Sequence, residues 1–310
     1  MNWPHKDLIA IQDLKPEEIG HILDMASSFK EISKRDIKKV PTLRGKTVVL
    51  LFYEASTRTR LSFEIAAKRL SADTTALSAS GSSFSKGETI MDAAYNVMAM
   101  SPDCIVIRYP YAGIPKKMAD LLPCSVINAG DGYNEHPTQA LLDMYSMKER
   151  FGTLKGLNVA IVGDIMHSRV ARSNVYGLKK MGASISLVAP KTLLPPRVET
   201  WGAQVLTEFD PVIPHADVIM MLRVQKERLH DRFFPDEREY SFFYGLSKRR
   251  VDMMKKDAVI MHPGPMNRGV EITCDAAESA RSIILDQVEN GVAIRMTLLY
   301  LSMGGTSNVD

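Results

Sequence analysis

Thr47-Val48-Val49-Leu50-Leu51-Phe52-Tyr53 runs directly towards Ser56-Thr57-Arg58-Thr59-Arg60. The first segment is a continuous β-branched and apolar run, as expected of a strand buried on both faces. The second reads as the start of a helix, with Leu61 and Ile65 on one face. The same pairing recurs along the chain. Cys104 to Ile107 and Val126 to Ala129 read as short strands, and Pro137 to Phe151 as a helix with an Ala140, Leu141, Met144, Tyr145 stripe. After Gly152 and Gly156 the pattern restarts, with strands at Val159–Val162, Ser184–Val188, Val218–Leu222 and Ala258–Met261. A helix is read over Ser168–Met181, and others over Pro16–Ile32 and Asp286–Met303. Apolar strands each followed by a helix predict an α/β fold, here two tandem α/β domains, each a mostly parallel sheet flanked by helices.

Composition agrees with that outline. The chain has 310 residues, 45% of them hydrophobic and 24% charged. At roughly 150 residues per domain, that length suggests two domains. The apolar content is enough to offset the ordering entropy that keeps other chains disordered. A formal net charge of +3 argues against a nucleic-acid binder acting through a bulk basic field. The N-terminus lacks the apolar core of a signal peptide, and the longest apolar run is far shorter than a membrane span. No membrane partner is therefore expected, and a cytoplasmic protein is. Cys104 and Cys124 lie in or beside apolar runs, and with Cys274 they form no C-x-x-C pair. They are read as reduced core thiols, neither a disulfide framework nor a metal site.

Nucleotide signatures are missing. Gly45-Lys46-Thr47 ends like a P-loop, but the earlier glycine would fall at Val40. The strand ending at Gly163 continues Asp164-Ile165-Met166-His167, without a dinucleotide fingerprint. There is no G-x-S-x-G or H-E-x-x-H motif.

In open parallel sheets, ligands bind at the carboxyl ends of the strands. Ser56-Thr57-Arg58-Thr59-Arg60 lies at one such end. Hydroxyls, guanidiniums and free helix N-terminal N–H groups together can bind a phosphate. An ordinary Ser N-cap followed by solvated arginines accounts for the same residues. Arg108 is read directly after the Cys104–Ile107 strand, on the same edge. His136-Pro137-Thr138-Gln139 opens a helix there too, with a histidine able to polarise a carbonyl.

Ser56-Thr57-Arg58-Thr59-Arg60 with His136-Pro137-Thr138-Gln139 resembles the aspartate/ornithine transcarbamoylase family, a likeness spread over essentially the whole chain. The resemblance implies a carbamoyl phosphate-binding domain over residues 1–148, with a C-terminal helix at about 288–310 returning to it. Residues 149–287 would form the acceptor domain. Ser56, Thr57, Arg58, Thr59 and Arg108 would hold the phosphate. Thr59, Arg108 and His136 would face the carbonyl oxygen, making Arg58, Thr59, Arg108 and His136 the catalytic set. Gln139 would read the amino group, with backbone carbonyls at Pro263 and Gly264.

The second half resembles the aspartate branch of that family. Arg169, after Gly163-Asp164-Ile165-Met166-His167-Ser168, would pair with the α-carboxylate of aspartate. Arg223 with Gln225 would hold the side-chain carboxylate, and Gly264, Pro265 and Lys86 would complete the aspartate site. A dicarboxylate calls for two separated guanidiniums, each able to bind in a forked pair. The ornithine branch instead carries H-C-L-P where this chain has His262-Pro263-Gly264-Pro265. Ornithine carbamoyltransferase and a catalytically silent carbamoyl phosphate-binding homologue remain the alternatives.

Ser78 to Glu88 reads from composition as a surface loop. The resemblance implies that it brings Ser82 and Lys86 into a neighbouring subunit's site, and so a homotrimer with shared sites. Lys226 to Arg250 is expected to form a lid. The resemblance implies no cofactor and no metal. It leaves the wider assembly open, since catalytic chains of the family stand alone, join regulatory chains or associate with a dihydroorotase.

Overall fold

The computed structural model describes residues 3–78, 89–224 and 236–304. Among them the chain forms two units, residues 1–142 with 288–310 and residues 143–287. In the first, α1 (Pro16–Lys34) precedes β1 (Thr47–Phe52), α2 (Thr57–Arg69), β2 (Asp73–Ser78), α3 (Ile90–Met98), β3 (Cys104–Tyr109), α4 (Ile114–Leu121) and β4 (Ser125–Asp131). The strands pair in parallel in the order β2-β1-β3-β4. Strands β1, β3 and β4 are apolar because helices cover them, and α1 presents Ile19, Ile22, Leu23 and Ala26 as a buried stripe.

Helix α5 (Pro137–Phe151) leads into the second unit. There β5 (Asn158–Val162), α6 (Arg169–Lys180), β6 (Ser184–Val188), β7 (Gln204–Leu206), β8 (Val218–Met221), α7 (Glu237–Tyr244), α8 (Lys248–Asp252), β9 (Val259–Met261) and α9 (Cys274–Ala277) follow. The sheet order is β7-β6-β5-β8-β9, again parallel throughout. Helix α10 (Ile284–Met303) ends in the first unit, where the Arg295 guanidinium donates to Ser62 Oγ of α2 at 2.8 Å and stacks on Phe63.

The two parallel α/β sheets expected from the apolar runs are present. Three details differ. Arg108 lies inside β3, since the strand continues to Tyr109. Strands β2 and β7 and helices α3, α4 and α9 were not anticipated from the apolar pattern. Cys104 and Cys124 are buried, but Cys274 is exposed, so the core reading fails for that third thiol.

The segment expected to be a lid divides. Residues 225–235 lie outside the described residues, whereas from Glu237 the chain is helical and anchored. Arg250, 5% exposed, donates to Asp210 Oδ1 and to the carbonyls of Gly245 and Phe243, at 2.6, 2.6 and 2.9 Å. Tyr240 packs against Gly163, where a Cβ would meet the phenol oxygen at 3.0 Å and φ is +127°. That residue has to be glycine on both counts.

Candidate active site

Three strand ends in the first unit gather the residues singled out there. After β1 the chain turns through Tyr53 to Ser56, the N-cap of α2. Ser56 has φ −159° and ψ 89°, and its side chain makes no capping hydrogen bond. The helix N-terminus therefore keeps N–H groups that its own cap does not satisfy, an arrangement suited to an anion. Thr57 and Arg58 are exposed beside it, and Thr59 is buried.

Phe52 of β1 lies opposite Arg108 of β3, so the second guanidinium shares this edge. The β3–β4 register shifts between Ile107 and Tyr109, placing Arg108 at an irregularity of the kind that re-aims a side chain. Its guanidinium donates to Glu54 at 2.6 Å, in the turn before α2. It also reaches the Ala129 carbonyl of β4 at 3.4 Å.

At the third strand end, His136 precedes Pro137, the first residue of α5, and its carbonyl accepts from the Gln139 and Ala140 amides. His136, Thr138 and Gln139 are all buried. The loop carrying His136 is shaped by Asp131, which composition gave no reason to single out. Its buried carboxylate accepts from Asn128 Nδ2 (2.9 Å), Glu135 N–H (3.1 Å) and Gly113 N–H (2.9 Å). Gly113 belongs to the segment after β3, so one carboxylate joins the exits of β3 and β4.

In the second unit the residues lie further apart in sequence. Ser168 caps α6 in the ordinary way, its Oγ accepting from the Ala171 N–H at 3.0 Å. Arg169 follows as the first helical residue and is only 5% exposed. A guanidinium at the positive end of a helix opposes the local field, and a carboxylate bound there would neutralise it. Before it, the Asp164 carboxylate accepts from the His167 backbone N–H at 3.1 Å and meets His167 Nδ1 at 2.9 Å. This buried pair fixes the turn that delivers Arg169.

Arg223 follows β8, half-buried. Pro263, Gly264 and Pro265 follow β9, with a cis bond between Gly264 and Pro265. His262 organises that loop. The Gly264 N–H donates to its Nδ1 at 2.8 Å, so the proton sits on Nε2, 3.1 Å from Glu271 Oε1. Glu271 Oε1 also accepts from the Asn267 N–H at 2.5 Å. Burial first, then the charges of Glu271 and Asp164, hold the Tyr240 phenol far above its ordinary pKa.

Of the residues expected to act, Ser82, Lys86 and Gln225 lie outside the described residues. Sequence reading assigned no role to Glu54, Asp131, Asp164, Asn267 and Glu271, whose roles arise from hydrogen bonds within and between the loops that follow the strands. Among the described residues, no group of three or more His, Cys, Asp or Glu side chains is arranged to hold a metal ion.

Known proteins share this layout. The family model described as the aspartate/ornithine carbamoyltransferase carbamoyl-P binding domain matches residues 6–149. Its Asp/Orn binding domain counterpart matches residues 155–302. The aspartate carbamoyltransferase catalytic subunit of Syntrophus aciditrophicus is 57% identical over 307 residues, covering 99% of this chain and 100% of that protein.

Among solved structures, aspartate transcarbamoylase from Trypanosoma cruzi with carbamoyl phosphate and aspartate superposes with a TM-score of 0.87 at 26% identity. The match covers 96% of each chain. Ornithine carbamoyltransferase from Pyrococcus furiosus superposes nearly as well, at 0.85 and 32% identity, over 97% of this chain and 98% of that one. Backbone shape is thus common to both acceptor branches. With both domain models matched in order along nearly its whole length, the chain belongs to the aspartate/ornithine carbamoyltransferase family.

Proposed function

We propose that this protein transfers the carbamoyl group of carbamoyl phosphate to L-aspartate, giving N-carbamoyl-L-aspartate and phosphate, an early step of pyrimidine synthesis. The observation that carries the reading is the full-length likeness, at 57% identity, to a catalytic subunit named for aspartate. It is joined to a strand-end cluster built for a phosphate. Residues 1–148, with the helix at about 288–310, take carbamoyl phosphate, and residues 149–287 take aspartate.

The uncapped α2 N-terminus with Ser56, Thr57, Arg58 and Thr59 receives the phosphate, and Arg108 reaches it from β3. Thr59, Arg108 and His136 point donors at the carbonyl oxygen, while Gln139 and the Pro263 and Gly264 carbonyls take the amide hydrogens. The aspartate amine attacks the carbonyl carbon, so a C–N bond forms as the C–O bond to phosphate breaks. The departing phosphate takes that electron pair and the amine loses a proton. Negative charge grows on the carbonyl oxygen, where preorganised donors act most strongly.

Arg169 holds the α-carboxylate, and Arg223 with Gln225 holds the side-chain carboxylate. Lys86 and the Gly264–Pro265 segment complete the aspartate site. Two anions must be held side by side, so positioning and neutralisation supply much of the rate. No cofactor takes part in this scheme.

Ser82 and Lys86 come from a neighbouring copy, which makes the working form a homotrimer. Regulatory chains or a dihydroorotase are the partners that family precedent offers. The three free thiols suit the reducing cytoplasm.

Titration with N-(phosphonacetyl)-L-aspartic acid, the ligand of a Trypanosoma cruzi relative, is expected to show tight binding, alongside turnover of aspartate. Binding without turnover would instead identify a silent homologue. Mixing inactive Arg58→Ala chains with inactive Lys86→Ala chains is expected to restore activity, and none after confirmed subunit exchange would refute shared sites.

A further inference from the structure

A buried polar chain runs through the second unit and joins the segments that carry the proposed aspartate contacts. Asn174 lies on α6, the helix opened by Arg169, and its Nδ2 donates to Asp143 Oδ2 at 2.8 Å. Asp143 Oδ1 accepts from Gln287 Nε2 at 2.8 Å, and Gln287 Oε1 accepts from the His262 backbone N–H at 2.9 Å. His262 Nε2 meets Glu271, and Glu271 accepts from the Asn267 N–H. The last link is the Asn267 Nδ2, which donates to the Val224 carbonyl at 3.0 Å. Val224 sits between Arg223 and Gln225 and is fully buried.

Strand ends do not by themselves fix the direction of the chain beyond them. Here the β9 exit, with Pro263 to Pro265, is bound to His262 and Glu271. The β8 exit, with Arg223, is bound to that same loop only forty-odd residues later in sequence, through the Asn267 side chain. Asn267 is suited to this because one face supplies a backbone donor to Glu271 and its side-chain amide supplies another to Val224.

We propose that Asn267 and Glu271 are positioning residues for acceptor binding. Glu271 sets the loop after β9, and Asn267 uses that loop to hold the Val224 carbonyl, aligning the flanking Arg223 with the acceptor carboxylate. Neither touches substrate. The proposal rests on the reading of Arg223 and Pro265 as aspartate contacts, and it adds the device that sets their spacing.

Steady-state kinetics of the full chain, with each substrate varied in turn, tests it. If the unaltered protein fails to carbamoylate aspartate, the functional reading itself falls, and this inference with it. Given that activity, Asn267→Ala is expected to raise KM for aspartate about 3- to 10-fold, the usual worth of one hydrogen bond. Asn267→Asp, which turns a carboxylate oxygen towards the Val224 carbonyl, is expected to raise it further, by roughly 10- to 100-fold. KM for carbamoyl phosphate stays unchanged in both.

Glu271→Leu is expected to raise KM for aspartate as well, and KM for carbamoyl phosphate with it, because the loop it sets also carries the Pro263 and Gly264 carbonyls. Glu271→Gln, whose Oε1 can still accept from His262 and Asn267, is expected to recover most of the loss. Should Glu271→Leu fail to fold, the half-buried Asn267 variants decide. A merely structural role would lower the active fraction, and so kcat, without moving either KM. An unchanged aspartate KM in Asn267→Asp, or equal shifts in both KM values in that variant, would overturn the proposal.

Discussion

Helices α2 and α6 invite comparison, because each follows a central strand of its own parallel sheet and each opens with a serine N-cap. They part at the hydroxyl. Ser168 Oγ accepts from the Ala171 N–H and closes the α6 N-terminus, whereas Ser56 makes no such bond. In α2 the cap leaves helix N–H groups beside Thr57 and Arg58, where the proposed phosphate would sit. In α6 the serine caps the Ala171 N–H, and on the proposed reading binding falls to the guanidinium of the buried Arg169. On the proposed reading, the same local fold would recognise a phosphate through its backbone and a carboxylate through a side chain.

The comparison breaks most sharply at Arg58. Arg58→Ala is expected to lower kcat on the order of 10²–10³ or more, as loss of a preorganised donor does, with the circular dichroism spectrum and Tm unchanged because the side chain is exposed. Equal losses of activity and of folded protein would show that α2 depends on Arg58 structurally.

Asp131 sharpens the comparison from the stability side. Asp131→Ala strands the buried donors of Asn128, Glu135 and Gly113. Denaturant unfolding is expected to register a loss of about 2–4 kcal/mol. Carbamoyl phosphate affinity should fall with it, since the His136 loop is then unshaped. A stability change under 0.5 kcal/mol would mean that solvent replaces those bonds.

The smallest effect concerns acid. Burial pushes the Asp217 carboxyl up, but bonds from Lys255 and Asn158, with the Lys255 charge, outweigh it, so the net pKa falls below 3.8. Asp210 is lowered in the same way, burial being outweighed by Arg249 and Arg250. A carboxylate with a depressed folded pKa contributes stability that is complete above its unfolded value and lost as pH falls through the folded one. The denaturation midpoint of the unaltered protein is expected to drop more between pH 5 and pH 3 than that of Asp217→Asn. Parallel curves would remove Asp217 from the acid response.

Much of this was legible along the chain. Apolar runs located β1, β5 and β6, and α5 spans Pro137–Phe151 as its stripe indicated. Strand β2 escaped because Asp73-Thr74-Thr75 is polar at a sheet edge, and β7 because it has only three residues. The phosphate side was readable because Ser56 to Arg60 and His136 to Gln139 are contiguous motifs. The acceptor side was not fully readable, because its order depends on contacts such as Asn267 with Val224, which no local pattern encodes. Arg108 illustrates the limit. Its charge suggested a residue beyond the strand, whereas it pairs with Phe52 of β1 within the ladder, at the point where the β4 register skips it.

The most direct test offers the purified protein carbamoyl phosphate with L-aspartate and, separately, with L-ornithine, and measures the carbamoylated product. The account predicts carbamoyl aspartate, with ornithine turned over at least about 10³-fold less efficiently, since the buried and unpaired polar groups of a mismatched site reject the wrong acceptor. Comparable turnover of ornithine, or turnover of ornithine alone, would contradict it.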